Sequence, residues 1–442
     1  MYLVYLMFIP MVFLFYHKNF KMWFLVYSFF LLYSILPMFF KTGEIIFCNH
    51  FSSWSGDTVN AMLIILSIVV IMLSGIIMME GNRMNYMMMS FYFSMLFLVL
   101  FFGSDDLLNF LVFFELSMLP IFLLIGWWGK GKERMFSNYY FFLYTLVTSL
   151  PMFMLILKTM TLGMESMTLY NYYNLKITWF MFLLLVLGFL TKLPIYGLHI
   201  WLPKAHVDAP VGGSMVLAGI LLKIGGFGMM RCFMLMGEEV KMTYSVFFIM
   251  FLGVWGLMFT GVVCLRLTDF KVIVAFSSVS HMSLAVAGLM SYFYWGFKGS
   301  YLMFLGHGIL SPVLFFFGDM LYKRYHSRHI NSMKGLISSS SFMFYLITLF
   351  FFAMNFGFPP FMNFFGEIGL FMSLLSFNYL QALFMFGGFL MAGIFMLNMF
   401  VMIGQSKKML FQKMVLLNYE KMTIFFFFLS YIYMSLLFSS II

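Results

Sequence analysis

Charge is scarce in this 442-residue chain: Asp, Glu, Lys and Arg make up 9% of it, against about 25% in soluble globular domains. A soluble chain of this length would fold as about three domains, and the polar residues to coat three globules are missing. Cysteine is almost absent. Cys48, Cys232 and Cys264 are far apart and form no C-x-x-C pair, which excludes a disulfide framework and an iron–sulfur cluster held by this chain alone. No Gly-rich dinucleotide-binding fingerprint occurs, so the chain has no visible means of holding a nicotinamide cofactor. The net charge of +10 does not point to nucleic acid, because no stretch concentrates Lys and Arg with polar spacers. Met1 leads straight into an apolar run without an Arg- and Ser-rich leader, so no cleavable import signal is expected.

Apolar residues dominate, at 64% of the chain, with 64 Phe and 48 Met. That skew points to an AT-rich organellar genome, whose products need no import. The fold class is all-α polytopic membrane protein. A bilayer core about 30 Å thick takes about 20 apolar helical residues per crossing. Apolar runs between charged or turn-rich breaks predict about fourteen transmembrane helices, near 2–16, 22–40, 58–79, 86–103, 106–128, 136–161, 176–197, 210–236, 243–265, 270–291, 295–322, 341–376, 379–403 and 422–440. The first is short, which leaves thirteen as the alternative count. With fourteen, the odd-numbered loops carry 17 Lys and Arg, the even-numbered loops carry 6, and Lys192 and Lys223 fall inside the membrane. Such an asymmetry is what the positive-inside rule demands of a correct count, and it puts both termini on the opposite side.

Two spans are interrupted. The seventh holds Lys192-Leu193-Pro194 and runs on through Gly197; the twelfth holds Gly357-Phe358-Pro359-Pro360 followed by Glu367. Matching broken segments in two halves of a chain point to an inverted-repeat transporter with its site at the bilayer midplane. The expected organisation is peripheral helices over 1–85, a first antiporter-like five-helix half over 86–236, an inverted second half over 243–403, and a C-terminal loop with a last helix over 404–442.

Glu115, Lys192, Lys223 and Glu367 all lie in apolar runs. At about 2.5–3.5 kcal/mol each on insertion scales, four such ions facing lipid would cost on the order of 10–14 kcal/mol. They must face one another, polar neighbours or water. Buried ion pairs that only fix helix packing are the alternative, but such pairs seldom add net stability over apolar packing. The functional reading is a proton relay, because burial disfavours the charged form of an amine or acid and an opposite charge restores it. His281 and His307, also in apolar runs, read either as intermediate stations or as hydrogen-bonded packing. Pro120 and Pro312 lie five residues beyond Glu115 and His307 and disturb the preceding turn, freeing carbonyls there. His199 and His206 beside the first break are expected at an interface. Asp319 with Lys323 reads as an end pair one turn apart. The glycines crowding 212–228 are expected to pack tightly around Lys223, and the basic loop with His326 and His329 to serve orientation and lipid contact.

The stretch GFLTKLPIYGLHIWLPKAHVDAPVGGSMVLAGILLKIGGFGMMR (188–231) resembles the chain 4 family of antiporter-like membrane-arm subunits of mitochondrial respiratory complex I, NADH–ubiquinone oxidoreductase. KERMFSNYYFFLYTLVTSLPM (132–152), RLTDFKVIVAFSSVSHMSL (266–284), the YHSRHI loop and FGEIGLF resemble it too. The likeness runs from about residue 100 to 375. One departure is Asp208, where the family pattern has Glu in AHVEAP.

The resemblance implies a proton-translocating subunit with two inverted five-helix bundles. It makes Glu115 the charge partner, Lys192 the central switch on the broken helix, Lys223 the connecting lysine and Glu367 the terminal acid, with His281 and His307 along the same axis. The sister family, chain 5, typically has Lys at the position of Glu367 and a long lateral helix, neither of which is expected here. NADH, FMN, iron–sulfur clusters and ubiquinone would belong to partner subunits. The neighbours would be the antiporter-like chain 2 and chain 5, with lipids such as cardiolipin, in the mitochondrial inner membrane and with both termini toward the intermembrane space. The rival is a stand-alone cation/proton antiporter subunit. Such a protein would move sodium or potassium in proteoliposomes without NADH or quinone, and a redox-coupled subunit would not.

Overall fold

The structure is a computed structural model that describes residues 57–78, 84–104, 106–161, 179–234, 244–334, 342–404 and 418–439. Among these the chain is helical, with one isolated β-bridge between Asp269 and His329. The helices are α1 (Asp57–Ile77), α2 (Met84–Phe102), α3 (Leu107–Leu116), α4 (Leu119–Trp128), α5 (Arg134–Thr161), α6 (Trp179–Lys192) and α7 (Trp201–Asp208). Next come α8 (Val211–Val216), a π-helical turn (Leu217–Leu221) and α9 (Leu222–Met234), which form one continuous rod. The remainder are α10 (Tyr244–Arg266), α11 (Phe270–Met290), α12 (Tyr294–Tyr325), α13 (Phe342–Asn355), α14 (Met362–Phe377), α15 (Tyr379–Gly404) and α16 (Asn418–Ser439).

The expected spans 2–16 and 22–40 lie outside the described residues. Each of the other expected spans is occupied by a helix or a broken helix, and nine of the described spans are long and apolar enough to cross a membrane. Both expected breaks are present. The seventh span stops at Lys192 and resumes as the short α7; the twelfth divides into α13 and α14. The fifth span, expected to be one helix, also divides, at Ser117–Met118, because Pro120 has no N–H to offer the Leu116 carbonyl.

α12 is the hub, apolar on all sides and therefore buried on all sides. It runs 32 residues and packs against α1, the α8–α9 rod, α11, α13, α14 and α16. The α8–α9 rod is likewise wholly buried, as the glycine-rich sequence predicts. α5 and α15 are peripheral. Each exposes an apolar stripe at helical spacing, Leu143, Val147, Leu150 and Met154 on α5, and Leu383, Phe386, Leu390 and Leu397 on α15. Apolar outward faces are the solution expected where the surroundings are lipid or a neighbouring subunit. Buried serines, among them Ser67, Ser74, Ser94, Ser278 and Ser280, return their hydroxyls to the carbonyl three residues back, which removes the cost of desolvating them.

Close backbone approach holds α14 on α12. A Cβ on Gly299 would stand 2.8 Å from the Leu370 nitrogen and 2.9 Å from the Gly366 carbonyl oxygen. Backbone cannot swing aside as a side chain can, so Gly299→Ala is expected to push the two helices apart at a cost of about 1–3 kcal/mol. The check is the thermal midpoint of the subunit in its assembled complex, which should fall; an unchanged midpoint would show that the interface has slack.

Candidate functional site

The site is built where helical ladders are interrupted. At the end of α3, Met118 N–H turns back to the Glu115 carbonyl at 3.1 Å, leaving the Phe114 carbonyl outside the regular ladder. Lys192, the last residue of α6 and 1% exposed, donates its Nζ to that Phe114 carbonyl at 2.7 Å and lies over the Phe114 ring. The seat of the lysine is thus one residue from Glu115. Glu115 is close enough for its charge to act on Lys192, but no salt bridge joins them, and Glu115 Oε1 is buried without a hydrogen-bond partner. The pair stands open.

On its other side the break is sealed by α7. Pro194 brings no N–H, Gly197 takes a positive φ of 105°, and the Thr191 carbonyl accepts the Trp201 indole N–H at 3.0 Å. The Thr191 hydroxyl meets Thr148 of α5 at 2.8 Å. Unsatisfied backbone at membrane depth costs several kcal/mol per group in lipid, so these bonds are what make the interruption affordable.

Lys223 repeats the device. It is fully buried in the first turn of α9, and its Nζ donates to the Ala218 carbonyl at 2.6 Å. Ala218 lies in the π-helical turn, where the widened ladder presents carbonyls that an α-helix would occupy; such turns recur at functional sites. The same Nζ stands 2.9 Å from His307 Nδ1. The His307 and His281 ring centroids are 5.7 Å apart, and His281 Nδ1 is 3.7 Å from Glu367 Oε1. Asn355, at the end of α13, lies against His281. Gly357, with φ of 70°, brings the second break against Glu367: a Cβ there would stand 2.5 Å from Oε2.

All six residues singled out in the sequence are interior or half-buried, and they fall into two groups. Glu115 and Lys192 form one; Lys223, His307, His281 and Glu367 form a row. No hydrogen bond or salt bridge links Lys192 to Lys223 among the described residues, although their helices touch: a Cβ on Gly225 would stand 3.1 Å from Lys192 Cβ. The two acids and two amines do not pair off with one another.

Three expectations need correction. His206 is not interfacial. It is fully buried, stacked on Phe315 of α12 at 4.6 Å, with both ring nitrogens lacking a partner. The signal was helical spacing in a stretch that reads as loop: Trp201, Leu202, Ala205 and His206 are the buried residues of α7. Asp319 is more than an end pair with Lys323, since it is buried between Lys323 at 3.4 Å and Lys130 at 3.6 Å. Lys271, one of the 17 cations assigned from sequence to the odd-numbered loops, is buried nearby, its Nζ 3.5 Å from the Ala209 carbonyl. The basic loop after α12 is stitched down rather than free: Arg328 donates to the Val207 carbonyl and His329 pairs with Asp269 at 2.7 Å.

Fold and site together define a class, the antiporter-type membrane bundle with ionisable groups strung through its interior. The model of the NADH:quinone oxidoreductase/Mrp antiporter transmembrane family matches residues 104–394. NADH-ubiquinone oxidoreductase chain 4 of Branchiostoma lanceolatum is 39% identical over 312 residues, covering 69% of this chain and 68% of that protein. Chain 4 of Latimeria chalumnae is 38% identical over 318 residues, with 69% and 67% covered. The chain belongs to the NADH-ubiquinone oxidoreductase chain 4 family. Its fold is similar to that of a chain of respiratory complex I from Thermus thermophilus with bound NADH, with a TM-score of 0.86, 22% identity, and 98% of this chain and 95% of that one covered. It is similar also to a chain of the membrane-bound sulfane sulfur reductase, an archaeal respiratory membrane complex, with a TM-score of 0.84, 15% identity, and 99% and 95% covered.

Because the Gly357 Cα faces the carboxylate directly, Gly357→Ala is expected to displace Glu367 from its seat and from His281, besides straining a backbone that L-residues enter at about 1–3 kcal/mol. A structure of the variant should show the His281–Glu367 separation lengthened; a separation still at 3.7 Å would contradict the account.

Proposed function

We propose that this chain is a membrane-arm subunit of NADH:ubiquinone oxidoreductase that carries protons along Glu115, Lys192, Lys223, His307, His281 and Glu367. The observation that carries the reading is the row of contacts from Lys223 through His307 and His281 to Glu367, lying inside the bundle and beginning one helix away from Lys192. Both lysines are held by carbonyls, which accept a hydrogen bond from either an ammonium or a neutral amine. Protonation can therefore change without unseating the side chain. Glu115 is the group that discriminates between the two states of Lys192: closing the pair favours the ammonium, opening it releases the proton. At the 2.9 Å Lys223–His307 contact, the ammonium gives its proton to the imidazole and becomes the neutral amine, while the imidazole becomes imidazolium. The 3.7 Å step from His281 to Glu367 is longer than a direct hydrogen bond, so a water or a small side-chain movement completes it.

Moving one charge against 100 mV costs about 2.3 kcal/mol. The row can pass protons but holds no source for that energy. Electron transfer from NADH to ubiquinone, through FMN and iron–sulfur clusters in partner subunits, supplies it. The antiporter-like chain 2 and chain 5 are the neighbours, and lipids such as cardiolipin fill the periphery. The excess of cations on the odd-numbered loops, which persists with the buried Lys271 set aside, supports protons entering from the matrix and both termini facing the intermembrane space of the mitochondrial inner membrane. The halves over 86–236 and 243–403 then each contribute one broken helix, with further helices over 1–85 and a last helix over 404–442.

In assembled complex, Lys192→Ala should lower the protons moved per NADH oxidised by several-fold, because no other amine among the described residues is bonded to the Phe114 carbonyl. Wild-type pumping and quinone reduction would make the role assigned to Lys192 wrong. Sodium or potassium transport by the isolated chain, without NADH or quinone, would favour the stand-alone antiporter.

A further inference from the structure

The helix that carries Glu367 begins inside the bundle. Its first turn must find acceptors for N–H groups that have no partner within the helix, in surroundings where water is scarce. Phe361, at the N-cap, has extended backbone and no side-chain acceptor. Its carbonyl takes the Phe364 N–H at 3.1 Å. The Met362 N–H goes elsewhere: it donates to the phenol oxygen of Tyr431 on α16 at 2.6 Å, and the Asn363 N–H reaches the same oxygen. Tyr431 is buried, with its ring against Phe361 at 5.9 Å. The Asn363 side chain meanwhile donates across the break to the Met354 carbonyl of α13 at 3.2 Å.

α16 grips the rest of the axis as well. Phe428 packs on Phe350 and Phe351 of α13, and Glu420 pairs with Arg324 of α12, the helix that carries His307. The last helix bears none of the six relay residues, yet it contacts every element that sets the distance between the histidines and the terminal acid except α11.

We propose that Tyr431 is a positioning residue for Glu367: by capping the first turn of α14 from outside, its hydroxyl fixes the height and rotation of the helix on which the acid rides. The inference rests on the proton-relay reading of that row. Glu367 is five residues beyond Met362, about 7.5 Å along the axis at 1.5 Å per residue, so any shift of the capped turn is passed on to the carboxylate almost undiminished. A cap supplied by a neighbouring helix also makes the position of Glu367 answerable to α16, where a cap in the same chain segment would not.

The test uses Tyr431→Phe in the full chain within assembled complex, since phenylalanine keeps the ring packing and removes only the acceptor. The expected result is faster hydrogen exchange at the Met362 and Asn363 amides, a several-fold fall in protons pumped per NADH, and a displaced pH profile of pumping. Adding Phe361→Ser supplies a hydroxyl acceptor at the N-cap for the Asn363 or Phe364 N–H, so the double variant should recover part of the pumping while the Met362 amide still exchanges fast. Wild-type exchange and pumping in Tyr431→Phe would overturn the proposal, as would a defect in assembly or pumping that Phe361→Ser leaves unrepaired. Glu367→Gln, measured in parallel, separates the two claims. If it pumps normally, the relay reading fails while the exchange data still report on the cap; if it is impaired and Tyr431→Phe is not, the positioning role fails alone.

Discussion

An amine carried to lipid depth must be given an acceptor, and in this protein both acceptors are backbone carbonyls released by faults in the helical ladder. Lys192 takes Phe114, freed at the α3–α4 junction, and Lys223 takes Ala218, freed in the π-helical turn. The rest of the architecture follows from that constraint. A helix is weakened where its ladder is disturbed; the rod that carries the π-helical turn is buried along its length, whereas the α3–α4 span keeps one apolar face exposed. Seating by a neutral carbonyl rather than by a carboxylate leaves the charge of each lysine adjustable, whereas a tight ion pair would lock it.

The interruptions come with their own supports. Trp201 closes the first break by donating to Thr191, and Asn363 and Tyr431 close the second. Side chains take over what the ladder lost, Trp201 and Asn363 from the continuation of the broken span itself and Tyr431 from another helix. Such breaks are tolerated in membranes only where neighbouring groups satisfy the freed backbone.

Much of this was legible in the sequence. Glu115, Lys192, Lys223, Glu367, His281 and His307 stand out because ions and imidazoles in apolar runs are expensive, and Pro194 and Gly357 mark their breaks because neither residue suits a helix interior. Pro120 announced a disturbance near Glu115, though not that the span would divide. The π-helical turn was invisible, since Leu217–Leu221 has the composition of any apolar helix. His206 was misplaced because polar residues around a break read as loop, when α7 buries one face of a short helix. Tyr431 could not be found by any pattern: one tyrosine in an aromatic-rich helix says nothing of the helix it will cap. Local chemistry can be read from the residues that carry it, but bonds between distant segments depend on packing.

On the proposed relay, protons cross the interval between Lys192 and Lys223, which no hydrogen bond or salt bridge spans among the described residues. The most direct measurement is a structure of the intact complex at a resolution that places individual waters. An unbroken file of waters within hydrogen-bond distance of one another is expected, from the Lys192 amine to the Lys223 amine and on toward Glu367. A dry interval, with apolar side chains in van der Waals contact across it in every state of the working complex, would contradict it.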